Sequence, residues 1–182
     1  MDALELLLER RSLPKLVSPA PQGRALENIL KAGLRAPDHG ALTPWRFIVA
    51  VDDGLQRLAD ILVAAATADN ADEGVISKAS KAPFRAPMVI TVVAKVSEHD
   101  KVPAIEQIVS AGCATHAMQM AAVAHGFGGF WRTGNWAYHP VVKKALGLSG
   151  DDEIVGFLYI GTPNCVSAKV PQRDIDKFVS YL

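Results

Sequence analysis

Two arginines and a serine stand together near the N-terminus, at Arg10-Arg11-Ser12. They follow a short apolar helical pattern and precede Pro14, so they lie where the chain turns. Planar guanidinium groups bind phosphate oxygens through paired hydrogen bonds, and the hydroxyl adds a further donor. This chemistry predicts a phosphate site. The alternative is that the two cations only favour the carboxyl end of a helix, where the helix dipole is negative.

A second polar segment, from Arg35 to Trp45, connects a helix to a strand and is bounded by Pro37 and Pro44. Arg35 and His39 supply hydrogen-bond donors, and the two prolines stiffen the chain. Loops positioned by rigid flanking elements are frequent ligand sites. A ligand site and a plain connection with Trp45 anchored in the core both remain open.

A third segment, Gly126 to Gly134, is rich in glycine and contains Trp131-Arg132-Thr133. Glycine lets a flat ligand approach the backbone, the Trp131 indole offers a stacking surface, and Arg132 and Thr133 offer donors. The glycines follow a helix and do not open one, so they are not a dinucleotide-binding turn. The alternative is a glycine-lined exit from a helix into an edge strand.

Hydrolytic and metal chemistry find little support in the sequence. It contains no G-x-S-x-G, no Walker loop and no H-E-x-x-H. The five histidines form no metal-spaced pair, and His116 is expected to be a core histidine with satisfied hydrogen bonds. Cys113 and Cys165 stand apart, so neither a zinc site nor a disulfide framework is predicted. We therefore assign no catalytic side chain and no metal ligand.

Apolar spacing and capping residues indicate several helices. Asp2 is expected to cap the first, whose Leu4, Leu7 and Leu8 share one face. Further helices are expected over residues 22–35, 55–68, 101–126 and 140–146. The third of these is apolar or small around nearly its whole circumference, so it should cross the middle of the protein. The polar residues 69–80 are expected to be irregular and mobile.

Strands are predicted over residues 47–51, 88–94, 129–133 and 154–160. The second is β-branched and almost wholly apolar, which is typical of a strand covered on both faces. Helices and strands do not alternate strictly, so we expect an α+β fold, a mixed central β-sheet wrapped by helices, in a single domain over residues 1–182. The tail ends in apolar residues, and we expect it to dock on a partner subunit. These residues are Phe178, Val179, Tyr181 and Leu182.

Charge and hydropathy exclude other classes of protein. The 182 residues carry 19 basic and 19 acidic side chains, a formal net charge of zero, so general attraction to nucleic acid or anionic membranes is not expected. No long apolar run is free enough of polar groups to span a bilayer, and the N-terminus does not resemble a secretory signal. The sequence therefore predicts a cytoplasmic protein.

The order of these motifs resembles the nitroreductase family of flavoproteins. R-R-S is followed by A-P-x-x-x-x-x-x-P-W-x-F, then by a long alanine-rich helix ending in G-F-G-G-F-W, and finally by a strand that closes on G-x-P. The resemblance covers nearly the whole chain and is strongest for the compact bacterial members of the family. It implies an α+β homodimer with FMN bound at each subunit interface.

The resemblance also implies roles for particular residues. Those that match FMN-binding positions are Arg10, Arg11, Ser12, Arg35, His39, Trp131, Arg132 and Thr133. The first three match the motif that holds the phosphate and ribityl chain, and the next two match a loop contributed by the opposite subunit. The last three match the strand beside the isoalloxazine ring.

The resemblance places the pyridine nucleotide at the end of the long helix. The matching residues are Ala121, Ala122, Val123, Ala124, His125 and Gly126. Many relatives carry asparagine and glutamine where this chain has Ala41 and Thr43, so contacts to the pyrimidine edge of the flavin are not transferred. Lys169 and Arg173 are candidate phosphate partners.

The function implied by the resemblance is an FMN-dependent oxidoreductase. NAD(P)H would reduce the flavin and leave before a nitroaromatic or quinone acceptor enters, a ping-pong exchange. No side chain is required as acid or base, because the hydride chemistry belongs to the flavin. Two alternatives stay open: an FMN-binding module for storage or sensing, without turnover, and a different flavin reaction on the same fold, such as reductive dehalogenation or flavin breakdown. Neither the physiological acceptor nor a preference for NADH or NADPH follows from the sequence.

Overall fold

A central antiparallel sheet organises the molecule in a computed structural model that describes residues 2–165 and 170–182. Its strands are β1 (Leu16–Val17), β2 (Trp45–Val51), β3 (Met88–Ala94), β4 (Gly128–Arg132) and β5 (Glu153–Pro163). The order is β1-β5-β3-β2, and β4 also pairs with β5. All these pairings are antiparallel, whereas an isolated bridge between Ser12 and Gly129 is parallel. The α+β class is confirmed, and the mixed character of the sheet is limited to that bridge.

The long strand β5 positions the others because it pairs on both edges. β3 lies along one edge, with Met88 opposite Ile160, and β4 lies along the other, with Phe130 opposite Tyr159. All seven residues of β3 are buried, as its continuous apolar pattern predicts. The outer edge of β4 therefore remains available to the N-terminal segment.

Seven helices in the described part of the chain surround the sheet. They are α1 (Ala3–Glu9), α2 (Gly23–Gly33), α3 (Asp53–Ala68), α4 (Glu73–Lys81), α5 (Ala104–Ala124), α6 (Asn135–Tyr138) and α7 (Pro140–Ala145). Short 3-10 segments cover His39–Ala41, Pro83–Arg85 and Ile175–Lys177. Asp2 caps α1 as predicted, since its carboxylate accepts hydrogen bonds from the amides of Leu4 and Glu5 at 2.8 and 3.0 Å.

The two faces of the sheet bury separate apolar cores. One core joins β5 to α3 and α7, and the other joins β3 and β5 to α2 and α5. Helix α5 is buried along much of its length, but Ile105 and Val109 near its start are 63% and 56% exposed. The expectation of a core His116 is wrong, because this side chain points out of the α5 layer and is exposed.

The polar residues 69–80 are expected from their composition to be irregular, and this expectation is wrong, because most of them belong to α4. The carboxylate of Asp72 accepts a hydrogen bond from the Val75 amide at 2.9 Å and caps the helix. Val75, Ile76 and the fully buried Ala79 pack into the core that α3 also lines. Three correctly spaced apolar positions and a cap thus outweigh the polar composition.

The C-terminal tail leaves its apolar side chains in solvent in the isolated chain. Phe178, Val179, Tyr181 and Leu182 are all exposed. The docking of this tail on a partner subunit stays a prediction.

Candidate functional site

The Arg10–Ser12 segment is attached to the outer edge of β4. The amide of Leu13 donates to the carbonyl of Gly129 at 3.1 Å, and Ser12 bridges the same glycine. Arg10 follows the last residue of α1, and its guanidinium donates to the Ser12 hydroxyl at 3.3 Å. The end of α1 thus places two guanidinium groups and a hydroxyl beside the strand that carries Trp131 to Thr133.

The Arg11 guanidinium is the least satisfied group of this segment. Its Nε is buried, and no hydrogen-bond partner for it exists among residues 2–165 and 170–182. Over the same residues, neither Arg10 nor Arg11 forms an ion pair with a carboxylate. A buried cationic donor without a partner is costly, and an anion placed beside it would remove that cost. The segment therefore has the donors and the charge that a phosphate group needs.

The two glycines that open β4 serve protein packing. A Cβ on Gly128 would lie 2.7 Å from a methyl carbon of Leu16, and a Cβ on Gly129 would lie 2.9 Å from Gln119 Cγ. Gln119 is buried and donates to the Gly129 carbonyl at 3.1 Å. At both positions, a neighbouring side chain of the same chain fills the space that a Cβ would occupy. This supports the glycine-lined exit from a helix and not a close approach of ligand at these two positions.

Alternation along β4 sends Trp131 and Arg132 to opposite faces of the sheet. The Trp131 indole packs in the α5 core, donates to the Val155 carbonyl at 3.3 Å and fills the space left by Gly156. It is therefore partly buried and not a free stacking surface. Arg132 lies on the other face, with its guanidinium carbon 4.7 Å from the centre of the Phe130 ring.

A cavity of about 850 Å³ opens on the Arg132 face, and we call it the β4 cavity. Its walls come from β4, α3, α4, the 3-10 segment that follows α4, and the start of α6. Its lining includes the aromatic residues Phe130, Trp136, Phe157 and Tyr159 and the cationic residues Lys78, Lys81, Arg85 and Arg132, and it also includes Trp131, although the indole of Trp131 packs on the other face. Thr133 also lines it. A volume of this size accommodates a small organic molecule.

Burial and mutual charge perturb the ionisable groups of the β4 cavity. Burial lowers the pKa of Arg132, and the positive charge of Arg85 lowers it further. Burial raises the pKa of Tyr159, an effect that Arg132 and Arg85 partly oppose. The raised pKa keeps Tyr159 a neutral phenol near neutral pH, and the cavity presents it beside the guanidinium of Arg132.

Sequence reasoning missed Lys78, Lys81, Arg85 and Tyr159 as lining residues of this cavity. The lysines were hidden because their segment was expected to be irregular. The signal that could have revealed them is the Asp72 cap followed by apolar residues at helical spacing. Tyr159 lies within a predicted buried strand, and only the pairing of β5 with β4 places it beside Arg132.

Arg35 and His39 lie apart from these groups, on the loop between α2 and β2. The Asp38 carboxylate shapes this loop by accepting hydrogen bonds from the amides of Leu42 and Thr43 at 3.1 and 2.7 Å. His39 Nδ1 lies 2.6 Å from a carboxylate oxygen of Glu106 on α5. Arg35 is exposed, and within the described ranges no hydrogen bond links it or His39 to the Arg10–Ser12 segment or to β4.

The segment assigned to the pyridine nucleotide ends α5 and does not line the β4 cavity or the smaller cavities of about 600 and 280 Å³. Ala122 is buried, and the last three residues, Ala124, His125 and Gly126, are exposed. His125 Nε2 lies 3.2 Å from the side-chain nitrogen of Asn28. Carbonyl groups dominate the end of a helix, so the segment offers few donors to a phosphate. Its role stays a prediction.

The remaining candidates lie in the tail or concern other site types. Lys169 falls outside the described residues, and Arg173 is exposed. Across residues 2–165 and 170–182, no group of three histidine, cysteine or acidic side chains could hold a metal ion. No helix in the same part of the chain has the length and apolar character needed to cross a membrane.

Comparisons with known proteins agree with the motif order. The model of the Nitroreductase family matches residues 7–162. The Escherichia coli (strain K12) protein named "Putative NAD(P)H nitroreductase YdjA" is 53% identical over 182 residues, which cover 100% of both chains. A "Putative NAD(P)H nitroreductase" of Haemophilus influenzae is 43% identical over 185 residues, again over 100% of both chains.

Solved structures with low sequence identity share the fold. The nitroreductase-like family protein of Bacillus cereus superimposes with a TM-score of 0.86 at 21% identity, covering 100% of this chain and 96% of that one. A Desulfovibrio desulfuricans nitroreductase homologue, solved in complex with FMN, gives a TM-score of 0.78 at 22% identity, covering 100% and 98%. The fold, the motif order and the full-length matches together show that this chain belongs to the nitroreductase family.

Proposed function

We propose that the protein is an FMN-dependent oxidoreductase that uses NAD(P)H to reduce nitroaromatic or quinone acceptors. The observation that carries the proposal is the unpartnered, buried Nε of Arg11 beside Arg10 and Ser12 on the edge of β4. The names of the two full-length relatives support the activity, and the D. desulfuricans complex supports the cofactor.

The residues present fit FMN at this edge of the sheet. Arg10, Arg11 and Ser12 would supply charge and donors for the phosphate end, and Arg132 and Thr133, which line the β4 cavity, would lie beside the ring. When bound, FMN supplies the capacity to accept a hydride from one substrate and to pass electrons to another. The protein itself anchors the phosphate and shapes the adjoining cavity. These tasks need no side chain as catalytic acid or base.

A homodimer would bring Arg35 and His39 to a flavin held mainly by the other subunit. The isolated chain supports this, because the exposed apolar residues Ile105 and Val109 continue from His39 along the start of α5. The exposed apolar tail adds a second surface suited to a partner copy. Light scattering on the flavin-loaded protein should give twice the mass of one chain, and a monomer carrying full flavin would contradict this architecture.

The β4 cavity also bears on the order of substrate binding. Its volume of about 850 Å³ exceeds those of the cavities of about 600 and 280 Å³ elsewhere, and we infer that a ring held on β4 has one face open to it. Nicotinamide and an aromatic acceptor cannot both stack in near-attack positions on one open face. They must then bind in turn, so double-reciprocal plots at several acceptor concentrations should be parallel. Converging lines with a stable ternary complex would contradict the shared face.

The absorption spectrum of the purified protein tests the proposal as a whole. A yellow protein should release FMN, and not FAD, on denaturation, and its visible absorbance should bleach when NADPH or NADH is added without oxygen. Adding a quinone or nitroaromatic after removal of the nucleotide should restore the absorbance. Flavin that binds but never bleaches would identify a storage or sensing module and would overturn the enzymatic proposal.

A further inference from the structure

The β4 cavity has more positive charge than its own residues neutralise. Four cations line it, and Asp69 is its one acidic lining residue within the described chain. Asp69 is already engaged, because its carboxylate lies 3.1 Å from His139 Nε2. None of the four cations forms an ion pair with any carboxylate in residues 2–165 and 170–182. The cavity therefore favours an anionic occupant.

The positive charges stand beside an apolar, aromatic floor. The Arg132 guanidinium lies 4.7 Å from the centre of the Phe130 ring and 6.0 Å from that of Tyr159. Arg85 is close enough for its charge to act on both Arg132 and Tyr159. Lys78 and Lys81 belong to the last turn of α4, on the wall that the 3-10 segment of Arg85 continues. Such a site combines stacking or apolar contact with recognition of a carboxylate.

We propose that the β4 cavity binds the electron acceptor and selects aromatic acceptors that carry an anionic group, such as a carboxylate. The aromatic ring of the acceptor lies on the apolar floor beside β4, and its anionic group faces Arg85 and Lys78. These two residues then determine specificity and take no part in the redox chemistry. The inference rests on the proposed function, because the occupant is identified as the acceptor.

Two acceptors that differ by one carboxylate group, 4-nitrobenzoate and nitrobenzene, test the selection by charge. The flavin-loaded protein is assayed with NADH as wild type, Arg85→Gln, and the double variant Arg85→Gln with Lys78→Gln. The ratio of kcat/KM for 4-nitrobenzoate to that for nitrobenzene should fall about five- to tenfold in the single variant and further in the double one. The fall should come from a higher KM for 4-nitrobenzoate. Arg24→Gln removes an exposed arginine of α2 outside the cavity and should leave the ratio unchanged.

Direct binding gives a readout that does not depend on turnover. Isothermal titration should show 4-nitrobenzoate binding more tightly than nitrobenzene to the wild type and losing that advantage in the Arg85 variants. Equal binding of both compounds to the wild type would overturn the proposal that the β4 cavity recognises an anionic group. Selective binding without any turnover would support the anion site but overturn the proposed function and the identification of the occupant as an acceptor. A KM for NADPH that rises relative to NADH in Arg85→Gln, with the acceptor ratio unchanged, would assign the cations to a nucleotide phosphate and overturn the proposal.

Discussion

Arg11 and Arg46 each bury an Nε without a hydrogen-bond partner in the described part of the chain, yet their surroundings differ. The other guanidinium nitrogens of Arg46 donate to the carbonyls of Gly147, at 3.3 Å, and Leu146, where α7 ends. The carbonyls at the end of a helix are rich in negative partial charge, so Arg46 has its counter-charge within the chain. Arg11 has neither a carbonyl nor a carboxylate partner among the same residues. Arg46 therefore holds the fold, and Arg11 is suited to an external anion.

Lys95 and Asp152 extend the comparison to a complete ion pair. Asp152 is 3% exposed, and its carboxylate accepts hydrogen bonds from Lys95 Nζ and from the amides of Val96 and Ser149, the last two at 3.2 and 3.1 Å. Every group in this cluster has a partner within the chain. Charges of this kind should affect stability when removed, whereas the charges of Arg10 and Arg11 should affect ligand binding.

The largest effect is expected for Asp152→Asn, which leaves Lys95 without its counter-charge. The Asp152 carboxylate is 2% exposed and accepts from three donors, whereas the Lys95 side chain is 41% exposed, so losing the charged acceptor should cost about 2–3 kcal/mol at pH 7. Urea unfolding measures the change. Glu153→Gln is the matched control, because the Glu153 carboxylate is 36% exposed, against 2% for Asp152, and its loss should cost less than about 1 kcal/mol.

The pKa of Asp152 determines how the loss of stability in Asp152→Asn depends on pH. Burial raises this pKa, but the hydrogen bonds from Lys95, Ser149 and Val96 and the charge of Lys95 together outweigh burial and lower it. The stabilisation is therefore complete above the unfolded pKa of about 3.9 and is lost as the pH falls through the lower folded pKa. The stability difference between wild type and Asp152→Asn should be constant from about pH 5 to 7 and shrink below about pH 4. A difference that also shrinks between pH 7 and 5 would contradict the lowered pKa.

The next largest effect is expected on FMN affinity in Arg10→Ala. Loss of a charge-assisted hydrogen bond to phosphate should weaken FMN binding by about 1.5–3 kcal/mol, roughly ten- to a hundredfold. The flavin-free protein should keep its free energy of unfolding, since this side chain forms no ion pair in the described chain. Flavin fluorescence on dilution measures the affinity. Unchanged flavin occupancy in both Arg10→Ala and Arg11→Ala would remove the phosphate assignment.

The elements that the sequence predicts well are those whose signal is local. The almost wholly apolar sequence of β3, the Asp2 cap and the long apolar pattern of α5 each specify their structure through residues close together in the chain. The helix α4 was missed because its three apolar positions are dispersed among polar ones. A two-residue strand such as β1 has too few side chains to show a pattern.

The candidate site depends on contacts between distant segments, which no local pattern contains. Position 128 must be glycine because the side chain of Leu16, more than a hundred positions away in the chain, fills the space beside it. The indole of Trp131 fills the space beside Gly156 in the same way. The orientation of Trp131 follows from strand alternation once the face occupied by α5 is known. Motif order predicted the donor-rich segments, but only the three-dimensional structure separates the guanidinium of Arg46, which donates to two carbonyls, from that of Arg11, which donates to none among the described residues.

A smaller effect on stability is expected for Arg46→Met, with no effect on FMN. The change keeps much of the aliphatic stem but removes the donors to the last carbonyls of α7, at a cost of about 1–2 kcal/mol. Thermal unfolding and flavin content of the purified variant measure the two outcomes. If the variant keeps its stability but loses flavin, Arg46 belongs with Arg11 and the comparison fails.

The smallest change in stability is expected for His39→Gln, which sharpens the comparison most. His39 already has a partner in Glu106, but the side chains are 58% and 46% exposed, so breaking the pair should cost less than about 1 kcal/mol. If His39 also contacts a flavin held by the other subunit, FMN affinity should fall severalfold although stability hardly changes. Glu106→Gln is the matched control, since it breaks the same pair and keeps the imidazole. Equal FMN affinities in the two variants would remove His39 from the flavin site, whereas a loss confined to His39→Gln would show that an internally paired group can still serve a ligand across a subunit interface.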